Sequence, residues 1–226
     1  MTGAGLILET SGRTRLGIAI NGTIVGAEDL GGGRLQNRQL IPTIERLLLA
    51  HQLTPRDLTF LAVGTGPGSY TGLRVGITAA KTLAYTLGCS LCAVPTFAAI
   101  AAEVRGTVDV LADALQGTIY VQRFTDGIAT DELRIERFEE WVSGSTPLSL
   151  GGRGLGSEGM TVAGPGVITF ADKLPPSVTR STVIEPSVAA VLRVASTLTP
   201  LSRDELMRLE PHYLRGSSAE EKAKLG

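Results

Sequence analysis

The sequence has few of the residues that bind transition metals or form disulfides. Its 226 residues include two histidines, His51 and His212, and two cysteines, Cys89 and Cys92. Neither H-E-x-x-H nor H-x-x-x-H occurs, so we expect no metal site. The cysteines lie among apolar residues with no second C-x-x-C, which predicts buried thiols rather than half a zinc ribbon or a redox pair.

Aromatic and charged side chains are also scarce. Ten residues are aromatic and 19% are charged, whereas glycine supplies 28 residues, well above its usual share of about 7%. Since 43% of residues are hydrophobic, we expect a folded core of Ala, Val, Leu and Ile around glycine-rich turns. Residues 1–100 carry a net charge of +3 and residues 101–226 one of −4, so neither half resembles an autonomous nucleic-acid-binding protein.

No hydrophobic run is long and uninterrupted enough to predict a membrane span. The longest stretch without a charged residue, 82–102, contains Gly88 and Pro95, which predicts a helix, a turn, a strand, a second turn and a second helix. The residues Met1–Gly5 lack the positive and apolar regions of a secretory signal. We therefore expect a cytoplasmic protein that does not contact a membrane.

The hydrophobic pattern of the first hundred residues predicts the order βββαβαβα. The second and third strands are joined by Asn21-Gly22, a strong hairpin signal. A helical stripe follows, in which Pro42 is compatible only with the first turn; the stripe is Leu40, Ile44, Leu47, Leu48 and His51. Further elements are expected as a strand at 60–64, a helix at 73–87, a strand at 91–94 and a helix at 97–104 capped by Thr96.

The second half of the chain repeats this order in a degraded form. A glycine-rich loop at 143–159 interrupts it, and Ser187 is expected to cap a helix at 188–198. The other predicted elements are strands at 108–112, 118–124, 133–138 and 161–163 and helical pieces at 203–209 and 219–225. The repetition predicts two related α/β lobes.

A glycine-rich loop follows the predicted strand at 60–64 and leads into the next helix. A strand, such a loop and a helix N-terminus can form an anion site. However, Gly72 is followed by Leu73 and Arg74 rather than by the Lys of a P-loop, and Ser69 lacks the glycine of a nucleophile elbow. A tight turn for helix packing and a ligand loop are both compatible with the pattern; the residues concerned are Gly66, Pro67, Gly68, Ser69, Thr71, Gly72, Arg74 and Gly76.

One carboxylate ends the first strand of each predicted lobe. Glu9 precedes Thr10 and Ser11, and Asp113 occupies the matching place in the second half. In duplicated lobes both would point to one cleft, where such pairs hold a metal-bound phosphate. The alternative, which the pattern favours, is that each acid accepts hydrogen bonds from turn amides.

These segments together resemble the TsaB (YeaZ) family, which serves bacterial tRNA threonylcarbamoyladenosine biosynthesis. The resemblance rests on four motifs and spans nearly the whole chain. The motifs are Glu9-Thr10-Ser11, Gly64 to Gly76, Asp113-Ala114 with Gly117 and Tyr120, and Pro211-His212-Tyr213-Leu214-Arg215.

The resemblance implies a two-lobed α/β fold of the actin-like type, shared with acetate and sugar kinases and heat-shock proteins, with duplicated βββαβα lobes. We expect an N-terminal lobe at 1–105, a C-terminal lobe at 106–202 and a terminal helical segment at 203–226 that packs on the N-terminal lobe. The resemblance further implies a non-catalytic scaffold or activator subunit of the complex that installs threonylcarbamoyl on the tRNA adenosine beside the anticodon.

The family resemblance also implies partners. The chain would pair with the paralogous transferase TsaD, work with the ATPase TsaE, meet tRNA through the complex and form a homodimer when alone. Contacts would come from helices near 39–52 and 71–87, and the expected interface residues are Leu40, Ile44, Leu47, Leu48, Ala79, Ala80 and Leu83. Glu9, Thr10, Ser11 and Asp113 would be vestigial phosphate turns, with weak or vestigial ATP or ADP binding and no catalytic residue or required cofactor.

Departures from the superfamily pattern favour the non-catalytic interpretation. Glu9 replaces the usual Asp, Gly164-Pro165-Gly166 replaces Gly-Asp-Gly, and Gln36-Asn37 replaces a common His-Ser pair. Two alternatives remain: a small-molecule kinase of the same fold, which needs two acids and a nucleotide clamp, and a peptidase, for which Ser69 has no obvious histidine partner.

Overall fold

The computed structural model of the chain describes residues 1–31, 36–144 and 160–211. They form two compact units. The first comprises residues 1–99 and the described residues from Pro186 onward, and the second runs from Ile100 to Glu185. His212, the helical piece predicted at 219–225 and nearly all of the glycine-rich loop at 143–159 lie outside the described residues.

The first unit is built on a five-stranded mixed sheet. Its strands are β1 (Ala4–Glu9), β2 (Arg15–Ile20), β3 (Thr23–Asp29), β4 (Leu58–Gly64) and β5 (Ser90–Val94). They lie in the order β3-β2-β1-β4-β5, with β1 antiparallel to β2 and parallel to β4. Asn21 and Gly22 both have positive φ, 49° and 79°, so the predicted hairpin turn is confirmed.

Helices cover both faces of this sheet. The helices are α1 (Gln36–Ala50), α2 (Tyr70–Leu87), α3 (Thr96–Ala101), α6 (Val188–Ala195) and α7 (Arg203–Arg208). Alternate residues of β1 face opposite ways, as in any strand. Leu6 and Leu8 pack with α1 and α2, whereas Ile7 packs with α6. Both faces are therefore closed by residues of the same unit.

The second unit repeats the plan of the first. Its elements are β6 (Thr107–Asp113), β7 (Thr118–Thr125), β8 (Ile128–Ala129), β9 (Arg134–Arg137), α4 (Phe138–Ser143), β10 (Thr161–Ala163), α5 (Gly166–Thr169) and β11 (Thr179–Arg180). The order is β11-β10-β6-β7-β8, with β9 also on β7, and β6 is antiparallel to β7 and parallel to β10. In both units antiparallel strands precede two parallel ones: three in the first unit and four in the second, where β8 and β9 both pair with β7. This shared plan confirms the duplicated lobes.

A buried ion pair ties two strands of the second unit to its helix α4. Asp109 is fully buried, and its carboxylate accepts two hydrogen bonds from Arg123 at 2.6 and 2.9 Å. The indole N–H of Trp141 donates to the same carboxylate at 3.1 Å. Because a buried charge is costly without partners, the pair and the indole depend on one another.

The C-terminal lobe was predicted to end at residue 202, but the described part of the second unit ends at Glu185. Residues from Pro186 to 202 belong to the first unit, because Val188, Val191 and Leu192 of α6 bury their side chains on its sheet. Helix propensity and the Ser187 cap, whose hydroxyl accepts the Ala190 N–H at 3.1 Å, locate α6 along the chain. They do not indicate which sheet it covers.

Two helix details also differ from expectation. Pro42 lies in the second turn of α1 rather than in the first; it is exposed, so the Arg38 carbonyl that loses its helical N–H can bond to water. Thr96 does not cap α3, because the helix begins at Thr96 and the first carbonyl used is that of Pro95, bonded to the Ala99 N–H.

No helix in the described parts of the chain is both long and apolar enough to cross a membrane.

Candidate functional site

The turn that ends β1 carries a carboxylate buried inside the first unit. Glu9 is 1% exposed. One carboxylate oxygen, Oε1, accepts the Ser11 N–H at 2.6 Å, and the other, Oε2, accepts the Thr96 hydroxyl at 3.1 Å. The sequence places Glu9 at the end of an apolar strand, and the fold then buries it between that strand and β4.

Burial controls the ionisation of Glu9. It raises the pKa of the carboxyl above its usual value, and hydrogen bonds from Ser11, Thr96 and the Thr10 amide oppose that rise. Gly64 of β4 makes room for the carboxylate, because a Cβ there would lie 2.1 Å from Oε2. The carboxylate thus bonds to donors of its own chain, which is one of the two roles the sequence left open.

The glycine-rich loop packs directly on the turn of Glu9. Cβ atoms at Gly68 or Gly72 would overlap the carbonyl oxygens of Ser11 or Thr10, respectively. Gly76, one turn along α2, faces the side chain of Thr10 in the same way. Close approach of backbones therefore requires glycine at these positions, and the loop serves helix packing.

The loop is tied down at both of its ends. Gly66, with φ of 95°, precedes Pro67 through a cis peptide bond. Its N–H donates to the Thr96 hydroxyl at 3.1 Å, and its carbonyl accepts the Thr96 N–H at 2.9 Å. At the other end, the Ser69 N–H donates to the Ser11 carbonyl. The sequence did not indicate that Thr96 bonds to the loop and to Glu9, because a hydroxyl residue after Pro95 has the pattern of a helix cap.

Ser69 and Arg74 have local partners on α2. The Ser69 hydroxyl is the N-cap of α2 and accepts the Gly72 N–H at 3.3 Å. Arg74 donates to the Tyr70 hydroxyl at 2.9 Å, with its guanidinium 5.3 Å from the ring centroid. Thr71, between them, is exposed. His51 instead lies against Gly26 of β3, where it occupies the space of a Cβ.

Asp113 is placed at the end of β6 in the second unit. It is exposed, and its Oδ1 accepts the Leu115 N–H at 2.7 Å. Leu115 and Gln116 adopt φ of 68° and 53° in the tight turn that follows. Asp113 therefore bonds a turn amide, as one alternative had it, and a cleft shared with Glu9 stays a prediction.

The segment Gly164-Pro165-Gly166 packs closely on β6. Gly164 has φ of 89°, and Cβ atoms at Gly164 or Gly166 would overlap the carbonyl oxygen or the Cβ of Leu111, respectively. Packing within the second unit thus explains both glycines. In the described parts of the chain, no cluster of three or more His, Cys, Asp or Glu side chains is arranged to hold a metal ion.

Five of the seven expected interface residues are part of the core of the first unit. They lie on the inner sides of α1 and α2 and are 0–5% exposed: Leu40, Ile44, Leu47, Leu48 and Ala80. The prediction was wrong for them because a helical stripe shows only that a face is buried, not by what. Ala79 and Leu83 are half-buried.

The outward side of α1 carries apolar residues of its own. Ile41 is 49% exposed and Leu49 is 78% exposed. On α2, Thr78 and Thr82 are exposed beside Ala79 and Leu83. Since both helices pack on the same face of the sheet, their outward sides together offer a surface of apolar and small residues.

Helix α7 is bonded to another side of α2. The Lys81 ammonium donates to the carbonyls of Met207 and Leu209, each at 2.9 Å. Arg203 lies over the Tyr85 ring at 5.3 Å from its centroid. The packing predicted for the terminal segment on the first lobe is therefore seen for its described part, through Pro211.

Comparison with known proteins gives a consistent family. A family model described as TsaD, tRNA N6-adenosine threonylcarbamoyltransferase, matches residues 33–137. The tRNA threonylcarbamoyladenosine biosynthesis protein TsaB of Bacillus subtilis (strain 168) is 35% identical over 120 residues, 51% of this chain and 52% of that protein. TsaB of Escherichia coli (strain K12) is 28% identical over 134 residues, 50% of this chain and 58% of that protein.

A solved structure extends the likeness to nearly the whole chain. YeaZ from Pseudomonas aeruginosa superposes with a TM-score of 0.74 at 19% identity, and the match covers 95% of this chain and all of that one. At this identity the structural likeness shows the fold alone. The chain spans a little over half the length of the two sequence relatives it matches.

Proposed function

We propose, from its similarity to the TsaB (YeaZ) family, that the chain is a non-catalytic subunit in the biosynthesis of threonylcarbamoyladenosine in tRNA. It pairs with a TsaD-type paralogue that transfers the threonylcarbamoyl group. The chain contacts TsaE and tRNA through that complex. Binding of ATP or ADP by this chain alone is weak or vestigial.

The observation that carries the non-catalytic part of this proposal is the burial of Glu9. In a phosphate turn the acid must present its oxygens to a metal or to water bound near the phosphate. Here both oxygens face donors of Ser11 and Thr96, and the side chain is 1% exposed. A group held in this way supports the fold of the turn rather than a reaction.

The pairing is proposed to use a docking face on the outward sides of α1 and α2. We define the docking face by six residues: Ile41, Leu49, Thr78, Ala79, Thr82 and Leu83. Small residues let a partner helix approach closely, and exposed Leu and Ile supply apolar contact area. A homodimer and the pair with the paralogue would use the same face, so each excludes the other.

Substitutions on the docking face test the pairing. Leu49→Glu should weaken binding to the TsaD-type paralogue of the same organism by tenfold or more, a loss of about 1.4 kcal/mol, as measured by titration calorimetry. Ile128→Glu is the matched control, because Ile128 is 73% exposed in the second unit against 78% for Leu49. Equal binding by both variants, each folded by circular dichroism, would place the interface elsewhere.

Ile44→Glu and Ala80→Glu are unsuitable for this test. Ile44 is 4% exposed and Ala80 is fully buried. A carboxylate at either position would enter the core of the first unit and disrupt folding. Loss of binding would then carry no information about the interface.

A further inference from the structure

One carboxylate holds both ends of the segment between β4 and α2. Through the Thr96 hydroxyl, Glu9 is connected to the N–H of Gly66, where the glycine-rich loop begins. Through the Ser11 amide, it fixes the turn whose carbonyl accepts the N–H of Ser69, the N-cap of α2. The start of the loop and the start of the helix thus depend on the same side chain.

The length of the Glu9 side chain suits this arrangement. Its two oxygens reach donors 2.6 and 3.1 Å away on different segments. An aspartate would withdraw the carboxylate by about 1.5 Å, one carbon–carbon bond. Hydrogen bonds of these lengths do not survive such a change unless a segment moves.

The start of α2 packs against the turn of Glu9 with no free space between them. Gly68 and Gly72 bring the start of the helix into direct backbone contact with Ser11 and Thr10. A shift of the turn is therefore transmitted to α2 as a rigid body, because close-packed contacts do not absorb displacements. Thr78, Ala79, Thr82 and Leu83 of the docking face lie on the same helix.

We propose that Glu9 is a positioning residue for the docking face, in which the reach of the side chain, and not its negative charge, sets the place of α2. This proposal rests on the proposed function for the role of the docking face. Its chemistry is opposite to that of a ligand acid, for which the charge is essential and a shorter aspartate is the usual form.

The test compares two substitutions of Glu9. Glu9→Gln keeps the length and one carbonyl acceptor, and its amide can donate to the Thr96 hydroxyl; Glu9→Asp keeps the charge and shortens the reach. We expect Glu9→Gln to bind the paralogue within about twofold of the unaltered chain and Glu9→Asp to bind at least tenfold more weakly. The opposite order, with Asp tolerated and Gln inactive, would overturn the proposal in favour of a ligand role.

Amide hydrogen exchange of the isolated chain gives a readout that needs no partner. In Glu9→Asp, the hydrogen-bonded amides of Ser69, Gly72 and Leu73 should exchange roughly tenfold faster or more, while those of β6 and β7 in the second unit stay unchanged. Uniformly faster exchange in both units would indicate general destabilisation and would contradict a positioning role. If Glu9→Asp does not fold, Thr96→Val, which removes one hydroxyl and keeps the shape, should produce the same local change.

A second-site substitution tests the geometry itself. Gly64→Ala places a Cβ where Oε2 lies, so alone it should weaken partner binding. In the Glu9→Asp background that space is vacated, and the added Gly64→Ala should cost less than it does alone. Additive losses in the two backgrounds would refute the assigned contact.

The two proposals fail in different ways. If the unaltered chain does not bind the paralogue, the proposed function is wrong, and the exchange contrast between Glu9→Asp and Glu9→Gln still decides the role of Glu9 on α2. If the paralogue binds and Leu49→Glu abolishes binding, but Glu9→Asp leaves both binding and exchange unchanged, the inference about Glu9 is wrong and the proposed function stands.

Discussion

Gly72→Ala should destabilise the protein although the same change stabilises most helices. Gly72 lies in the first turn of α2. A glycine inside a helix costs about 1 kcal/mol relative to alanine, so helix propensity alone predicts a gain. The structure predicts a loss, because the new Cβ would lie 2.1 Å from the Thr10 carbonyl oxygen.

The magnitude follows from what must move. The neighbour is a backbone oxygen in a turn held by Glu9, so α2 and the turn must separate by about 1 Å to restore a normal contact. Overpacking of this kind costs up to about 3 kcal/mol, and the propensity gain offsets about 1 kcal/mol of it. We expect a net loss of about 2 kcal/mol in the free energy of unfolding.

Urea denaturation of four variants measures this loss. Thr82, exposed on the same helix, supplies the propensity control: Thr82→Ala minus Thr82→Gly gives the alanine advantage in α2 without any new contact. Ser69→Ala removes the N-cap bond and should cost about 1 kcal/mol. If Gly72→Ala is as stable as the unaltered chain or more stable, the close contact with Thr10 does not exist in solution.

Three further outcomes are expected. Glu9→Gln should change the pH dependence of stability. Since the pKa of Glu9 in the folded protein is raised above 4.5, the stability contributed by the protonated carboxyl is present below pH 4.5 and is lost as pH rises through the folded pKa. Denaturation at several pH values should therefore show the Gln variant gaining stability relative to the unaltered chain toward neutral pH. Asp109→Asn should cost about 3 kcal/mol or more by stranding Arg123, and adding Arg123→Met should recover part of it. The purified chain should show no threonylcarbamoyl transfer or ATP hydrolysis of its own; turnover abolished by Asp113→Asn would refute the non-catalytic proposal.

Local sequence signals determined much of the fold. The hairpin at Asn21-Gly22 and the N-cap at Ser187 both form where the sequence predicts them. They depend on contacts between residues close along the chain, which a sequence displays directly. Short elements such as α5 and β11 were missed because four or two residues show no periodicity.

The roles of individual site residues depended on tertiary contacts. Hydrophobic spacing predicted a buried face on α1, but only the packing showed that Ile44 covers the chain's own sheet while Leu49 faces outward. Glu9 and Thr96 are 87 residues apart, and the local sequence around each residue does not indicate their contact. Burial and hydrogen bonding between distant segments are decided by how the elements assemble, whereas periodicity, turn chemistry and family motifs are already present in the linear sequence.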